Sequence, residues 1–425
     1  MSPECCQRPS LVATYWAGST QLRRSRVAAD TSFRYTGYPV RIYAGPDALA
    51  QLGGEAERLR AQRPFVVCGQ SVAHRTDLLE RIKAAWKVPL AGAFTGVQAG
   101  SPLPSALAGT EAARSAGADA IIAVGGGSAI VTARAITILL AEGGSVHDHA
   151  TKYPPGQPPV SPRLMRPKLP NLAVVTTPTT AANRSGTAVI DPETNHRLEM
   201  FDPKTRPSAV FWDDAALLTA PAHLCISAAA ACFSGVVSGL QSKDPLNPLA
   251  QGDLAQALQL LRSQLPRVAG EPDNPKVRLD LCAAAFLYNR AADSGASGNA
   301  LGVVSALAHT LDTRYPHCGH GAAYALATPA GMRFNQSNNL AGQARLAALL
   351  GITGKSGTAS ASAAADAVAQ FYHSLGMPVR LRDMGIPRED VAHIAQDTMT
   401  DFGLHRNVRR VQDASELVAL LEQMW

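Results

Sequence analysis

Between residues 38 and about 177, short β-rich runs alternate with amphipathic stretches, and after about Pro221 the strand signals stop. The runs are YPVRIYA (38–44), PFVVC (64–68), AGAF (91–94), DAIIAV (119–124) and NLAVVTT (171–177). Between them lie stretches such as DALAQLGGEAERLRA and VAHRTDLLERIKAAW. Such alternation predicts a parallel sheet with helices on both faces. A proline-rich loop, YPPGQPPVSPRLMRPKLP, interrupts it. Further on, Ala/Leu-rich segments recur at helical period: LAQALQLLRSQL, LDLCAAAFLYNRAA, NALGVVSALAHTL, AAADAVAQFYHSL and SELVALLEQMW. The expected organisation is an extension over 1–34, an α/β domain over 35–218 and an all-helical domain over 219–425.

Composition narrows the function classes. Over 425 residues, 46% are hydrophobic and 17% charged, which suits a chain with a large packed core. The formal charge of +6 is spread without a dense Lys/Arg run, so nucleic-acid binding is not expected. Seven cysteines, an odd number with no CxxC, read as free thiols of a reducing cytosol, and a cytoplasmic location is expected. The opening MSPECCQRPSLVATYW has no continuous apolar core of a secretion signal, although its Arg- and Ser-rich, acid-poor texture is shared with transit peptides. No run of about eighteen apolar residues is evident, so no membrane span is expected.

The first chemical signal is DAIIAVGGGSAIVTARAI, a buried strand running through Gly125, Gly126, Gly127 and Ser128 into a helix. Glycines let backbone approach a phosphate closely, and the helix start offers N–H groups and a positive dipole end. The spacing is not GxGxxG, and a ligand-free strand-to-helix turn is the alternative. The second is VVTTPTTAANRSG, where Thr176, Thr177, Thr179, Thr180 and Ser185 crowd one turn. Hydroxyls there suit a diphosphate or a carboxamide, or form an ordinary Ser/Thr turn.

With RIYAGPDALAQLG before them and ETNHRLEMFDPKTRPSAVFWD, NALGVVSALAHTL and HGAAYALATPAGMRFN after them, these blocks resemble the iron-containing (group III) alcohol dehydrogenase superfamily. The opening FRYTGYPVRIYAG looks most like its maleylacetate reductase branch. The resemblance implies a Rossmann-like α/β dinucleotide-binding domain followed by an all-α domain, the dehydroquinate synthase-like architecture, with the site between them. It implies NADPH or NADH as cofactor, a small carbonyl or alcohol substrate, and a homodimer or larger assembly. Gly69, Ser101, Gly125, Gly126, Gly127, Ser128, Thr177, Thr179, Thr180 and Ser185 form the expected cofactor-binding set.

The family holds a divalent metal with an Asp and a His four apart on one helix and two later His. Here those positions fall on Ser234, Ser238, Ser305 and His320, with His317 as the alternative for the last and Gln241 in place of a Glu. Hydroxyls are weak ligands for zinc or ferrous iron, so a divalent metal is not expected, whether at the inherited positions or at His309, His317, Cys318 and His320. His309 matches a family histidine near the nicotinamide and is expected, with His320, to be catalytic. Arg184, Ser234, Ser238, Ser305 and His317 are expected to line the substrate site. Gly69 stands where the family often has an Asp for the ribose, and Arg75 follows, which favours NADPH. Val131 and Arg134 replace an Asp and a Lys, and Arg184 replaces a small residue.

Three readings remain: a metal-independent NAD(P)H-dependent reductase, a metal-dependent alcohol dehydrogenase, and a family member that binds a ligand or partner without turnover. Cofactor-dependent absorbance change at 340 nm separates the first from the third.

Overall fold

Three central runs are apolar from end to end because a parallel strand with helices on both faces has no solvent side. They form β2 (Pro64–Gly69), β4 (Ala120–Gly125) and β5 (Asn171–Val175), buried almost throughout. A computed structural model describes residues 32–154, 157, 159–295 and 299–425. The expected extension and Cys5 and Cys6 lie almost wholly outside the described residues. With β1 (Arg41–Gly45), β3 (Gly92–Val97) and β8 (Pro207–Asp213), these strands make a six-stranded sheet in the order β1-β8-β5-β4-β2-β3. Every pairing is parallel.

Successive side chains leave the strands on opposite faces. Val66, Cys68, Ile122, Val124, Leu172 and Val174 pack on one face with Leu52 of α1 (Leu52–Leu59) and Leu78, Ile82 and Trp86 of α3 (Leu78–Trp86). Phe65, Val67, Ile121, Ala123, Ala173 and Val175 pack on the other with Ala113 of α4 (Leu103–Ser115) and Ile130 and Ile136 of α5 (Gly127–Glu142). Two short helices, α2 (Gln70–Arg75) and α6 (Val146–His149), complete this set. An antiparallel hairpin, β6 (Gly186–Asp191) and β7 (His196–Phe201), stands beside the main sheet.

The chain leaves β2 for β3 on one side and returns as β4 on the other. That switch opens a crevice beyond the carboxyl ends of β2 and β4, where such sheets bind ligands.

After β8 and α7 (Asp214–Leu218) the chain is helical: α8 (Ala222–Leu240), α9 (Pro248–Gln264), α10 (Arg267–Gly270), α11 (Pro275–Asp293), α12 (Gly302–Arg314), α13 (His320–Phe334), α14 (Leu340–Leu349), α15 (Gly357–Ser374), α16 (Val391–Thr398) and α17 (Ala414–Met424). They share one large apolar core. Helix α8 is, by length and composition, apolar enough to cross a membrane, which corrects the expectation that no such run exists. Its Ala- and Ser-rich sequence kept it from reading as a continuous apolar run. Phe233, Val236, Val237 and Leu240 are buried in the helical core, which accounts for its hydropathy.

The amphipathic stretch over 72–86 is split between α2 and α3 at Thr76, whose backbone is extended and whose hydroxyl donates to Val72 O at 2.7 Å. The hairpin and β8 were not foreseen.

Glycine fits where α12 starts because backbone crosses there: a Cβ on Gly302 would lie 2.4 Å from Gly403 O and from Asn407 N. Gly302→Ala is expected to cost about 1–3 kcal/mol in denaturant unfolding. Gly54→Ala, in α1 with nothing within 4 Å of the new carbon, is expected to be neutral or stabilising by up to about 1 kcal/mol.

Candidate active site

Strand β4 turns into α5 through Gly125, whose φ of +140° only glycine adopts without strain. Gly126 then caps α5 without a side-chain bond. A Cβ there would stand 3.0 Å from Thr177 Oγ1, and one on Gly127 would stand 3.1 Å from Thr179 Oγ1. The threonine turn therefore lies directly over the glycine loop. Ser101 adds a third layer: its hydroxyl donates to Ser128 O at 3.0 Å, and Gly100 N donates to Ser128 Oγ at 3.2 Å. Gly69 ends β2 beside this loop, since Cys68 pairs in register with Val124. Thr177, Thr179 and Asn183 line a small pocket closed by Trp212, Cys282 and Phe286.

The rest of the turn faces the helical half. Thr180 O accepts from Asn289 Nδ2 at 2.7 Å, and Arg184 Nε donates to Asn289 Oδ1 at 2.8 Å. The Arg184 guanidinium also lies 5.3 Å from the Tyr288 ring centroid. Ser185 points away from the loop and accepts from Arg206 Nη2 at 3.2 Å. Arg134, in the place of the family's Lys, is buried and donates to Gly186 O and Ala181 O, both at 2.7 Å. Burial, then Arg184 and Arg206, lower its guanidinium to about 9. Its donors are spent on tying the hairpin and the threonine turn to α5.

In the helical half, Ser305 and His309 are the only residues between Gly302 and Leu311 that are not fully buried. Four apart, they share a face of α12. His309 Nδ1 lies 3.1 Å from Asp401 Oδ2, and its Nε2 lies 3.3 Å from the Tyr324 hydroxyl. Phe402 packs 5.1 Å from the imidazole ring. Tyr324 also hydrogen-bonds the Ser305 hydroxyl, and removal from water pushes its phenol up to about 12. His320, one turn before Tyr324 on α13, approaches Asp312 Oδ2 at 3.2 Å, and Arg197 Nη2 donates to the same oxygen at 2.6 Å.

The remaining expected residues are placed elsewhere. Ser234 Oγ shares a hydrogen bond with Thr328 Oγ1 at 2.7 Å, and Ser238 Oγ accepts from Leu301 N at 3.2 Å. Both are buried in helix packing. His317 turns toward Met384 O, 3.3 Å from Nε2, as does Cys318, so the three side chains of the HCGH segment point to two different places. Among the described residues, no three His, Cys, Asp or Glu side chains are grouped to hold a metal. Sequence reasoning missed Tyr324, Asp401, Asp312 and Arg197. Only Tyr324 carried a local signal, its helical i,i+4 spacing from His320.

Burial alone would raise the Asp312 carboxyl, but His320, Arg197 and His309 hold it at about 2, below its ordinary 3.8. Its stabilisation is therefore present above pH 3.8 and lost as pH falls through about 2. Asp312→Asn should be less stable than wild type near neutral pH. The pH-dependent part of the gap, roughly 2 kcal/mol, should close between about pH 4 and 2 in denaturant titrations.

Comparison with known proteins places these features. The sequence profile described as iron-containing alcohol dehydrogenase matches residues 39–214. The profile for the C-terminal part of the Fe-containing alcohol dehydrogenase family matches residues 246–425. An NAD-dependent methanol dehydrogenase of Bacillus methanolicus is 25% identical over 383 residues, covering 88% of this chain and 96% of that one. A maleylacetate reductase of a Rhizobium species is 25% identical over 370 residues, covering 86% and 90%. A solved structure of an alcohol dehydrogenase from Oenococcus oeni shares the fold with a TM-score of 0.82 at 23% identity, covering 93% of this chain and all of that one. The chain belongs to the iron-containing alcohol dehydrogenase family, whose members include alcohol dehydrogenases and reductases.

Proposed function

We propose that this chain is a nicotinamide-dependent reductase of an activated carbonyl, preferring NADPH and working without a divalent metal. The observation that carries the reading is the donor chemistry at the family's metal positions. Three of the four are neutral serine hydroxyls, each already bonded to Thr328, Leu301 N or Tyr324. The fourth, His320, is engaged by Asp312. Zinc or ferrous iron needs imidazole, carboxylate or thiolate donors, and this set does not fit one.

The glycine loop does fit a dinucleotide. Thr177 Oγ1 and Thr179 Oγ1 would crowd a Cβ on Gly126 and Gly127, at 3.0 and 3.1 Å, and the N-terminus of α5 favours an anion. Gly69 brings no carboxylate to the ribose, and Arg75 on α2 is exposed to meet a 2′-phosphate. When bound, the reduced nicotinamide supplies a hydride to the carbonyl carbon. Without a Lewis acid, carbonyl polarisation falls to hydrogen bonds and cations. His309, oriented by Asp401, is the source of the proton. Arg184 is paired with no carboxylate among the described residues, which suits a keto acid or enone-like acid. The active form is taken to be a homodimer.

The metal-dependent alcohol dehydrogenase is the second reading, favoured by the profiles that match the chain.

NADPH should bind in a fluorescence titration and be oxidised at 340 nm with a panel of aldehydes and 2-keto acids, more tightly than NADH. Equal silence with every carbonyl would overturn the reading in favour of a redox-silent binder. Gly126→Ala should weaken NADPH binding more than about tenfold with only a modest fall in melting temperature, because the new carbon needs Thr177 Oγ1, 3.0 Å away, to give by a few tenths of an ångström. Arg184→Ala should raise KM for 2-keto acids by about tenfold or more, the loss of a charged hydrogen bond, and leave neutral aldehydes little changed.

A further inference from the structure

We infer that Tyr324 is the catalytic acid that protonates the substrate oxygen, with His309 resupplying its proton and Asp401 as the residue that positions His309. This rests on the metal-free reductase reading.

Both nitrogens of His309 are already occupied: Nδ1 by Asp401 at 3.1 Å and Nε2 by the Tyr324 hydroxyl at 3.3 Å. An imidazole engaged on both sides has no nitrogen left for a substrate oxygen. The group beyond it is the phenol. Its ring lies 4.9 Å from that of His320, and its oxygen hydrogen-bonds Ser305. The phenol thus stands beside two of the family's four metal positions, where the polarising group of a metal enzyme would act. Its neighbours on α12, Ser305 and His309, are the residues of that face left partly open, and Tyr324 is itself only half-buried. A neutral phenol has a rotatable O–H and two lone pairs, so it can donate to a carbonyl oxygen while accepting from His309. Phenol to imidazole to carboxylate is the order needed for relaying a proton.

As the hydride pair adds to the carbonyl carbon, the C=O π pair moves onto oxygen. That oxygen takes the proton of Tyr324 Oη. The phenolate takes the Nε2 proton of a doubly protonated His309, which is left as the neutral Nδ1–H imidazole and recovers one proton from solvent. Asp401 holds the Nδ1–H throughout, and its other oxygen, Oδ1, accepts from Gly403 N at 2.7 Å, which fixes its own position. The reductant is the reduced nicotinamide of the proposed activity, and one proton from solvent balances the step.

The test uses full-length Tyr324→Phe and Asp401→Asn, the carbonyl of the panel that wild type turns over fastest, and ¹⁵N-histidine spectra of each protein. Tyr324→Phe should lower kcat about 100-fold or more, with KM, NADPH affinity and melting temperature close to wild type. The His309 Nε2 resonance should move in Tyr324→Phe, and the Nδ1–H tautomer should be lost in Asp401→Asn. Retention of a third or more of kcat by Tyr324→Phe overturns the relay alone. A parallel fall in NADPH affinity and melting temperature also overturns it, by showing a structural role. An unmoved Nε2 resonance removes the contact on which it stands. Should wild type turn over no carbonyl, the reductase reading falls and the relay with it.

Discussion

Two largely but not fully buried carboxylates, Asp312 and Asp401, set the terms for this molecule. A charge withdrawn from water must find partners, and these two find theirs across the chain. Asp312, on α12, draws Arg197 from the β6–β7 hairpin and His320 from α13. Asp401, beyond α16, holds His309 of that same helix, α12. The sheet half, two helices and the C-terminal segment are thereby fixed around one face of α12, and that face carries Ser305 and His309. Gly302 sits where α12 passes the backbone of Gly403 and Asn407, so the helix is seated closely enough for these distances to hold.

The sheet half meets that arrangement through the threonine turn. Arg134 clamps the turn from beneath, and Asn289 of α11 holds it from above through Thr180 and Arg184. Arg206 completes the seam by pairing with Asp293 at the end of α11. The glycine loop lies under the same turn, so the loop and the helical half are fixed relative to one another through a few charged and amide groups. Substitutions that look damaging in the sequence are absorbed in this way. Arg134 serves as a clamp, and Arg184 leans on Tyr288 rather than lying across the loop.

Strands β2, β4 and β5 were legible because buried parallel strands are continuous apolar runs bounded by turn residues, while β1 and β3, at the sheet edges and partly exposed, showed as shorter apolar runs. The hairpin was not, since β6 alternates half-buried and buried positions, β7 is mostly half-buried or exposed, and both intersperse Thr, Asp, His, Arg and Glu with their apolar residues. Strand β8, PSAVFWD, is buried over most of its length but begins at a proline directly after the charged FDPKTR stretch and ends at an aspartate, which hid it. The glycine loop and the first threonines were legible as local motifs, Ser101 only through the family, and the structure stacks them. His309 and the serines were legible only through register with a family. His309 owes its chemistry to Asp401, 92 residues away, and Asp312 owes its charge to Arg197, 115 residues away. No local pattern encodes such pairs. His317 misled because adjacency in HCGH says nothing about direction: a 3₁₀ turn at Pro316–Cys318 sends it toward Met384 while His320 starts a new helix.

The central claim is that hydroxyls and a phenol have taken over a face that in the family belongs to a metal. Its most direct test is the metal content of the purified protein after loading with Zn²⁺ and Fe²⁺ and desalting, read beside NADPH oxidation with and without a chelator. The account predicts no stoichiometric metal retained and the same rate in both conditions. About one tightly held metal per chain, with turnover lost on chelation, would contradict it.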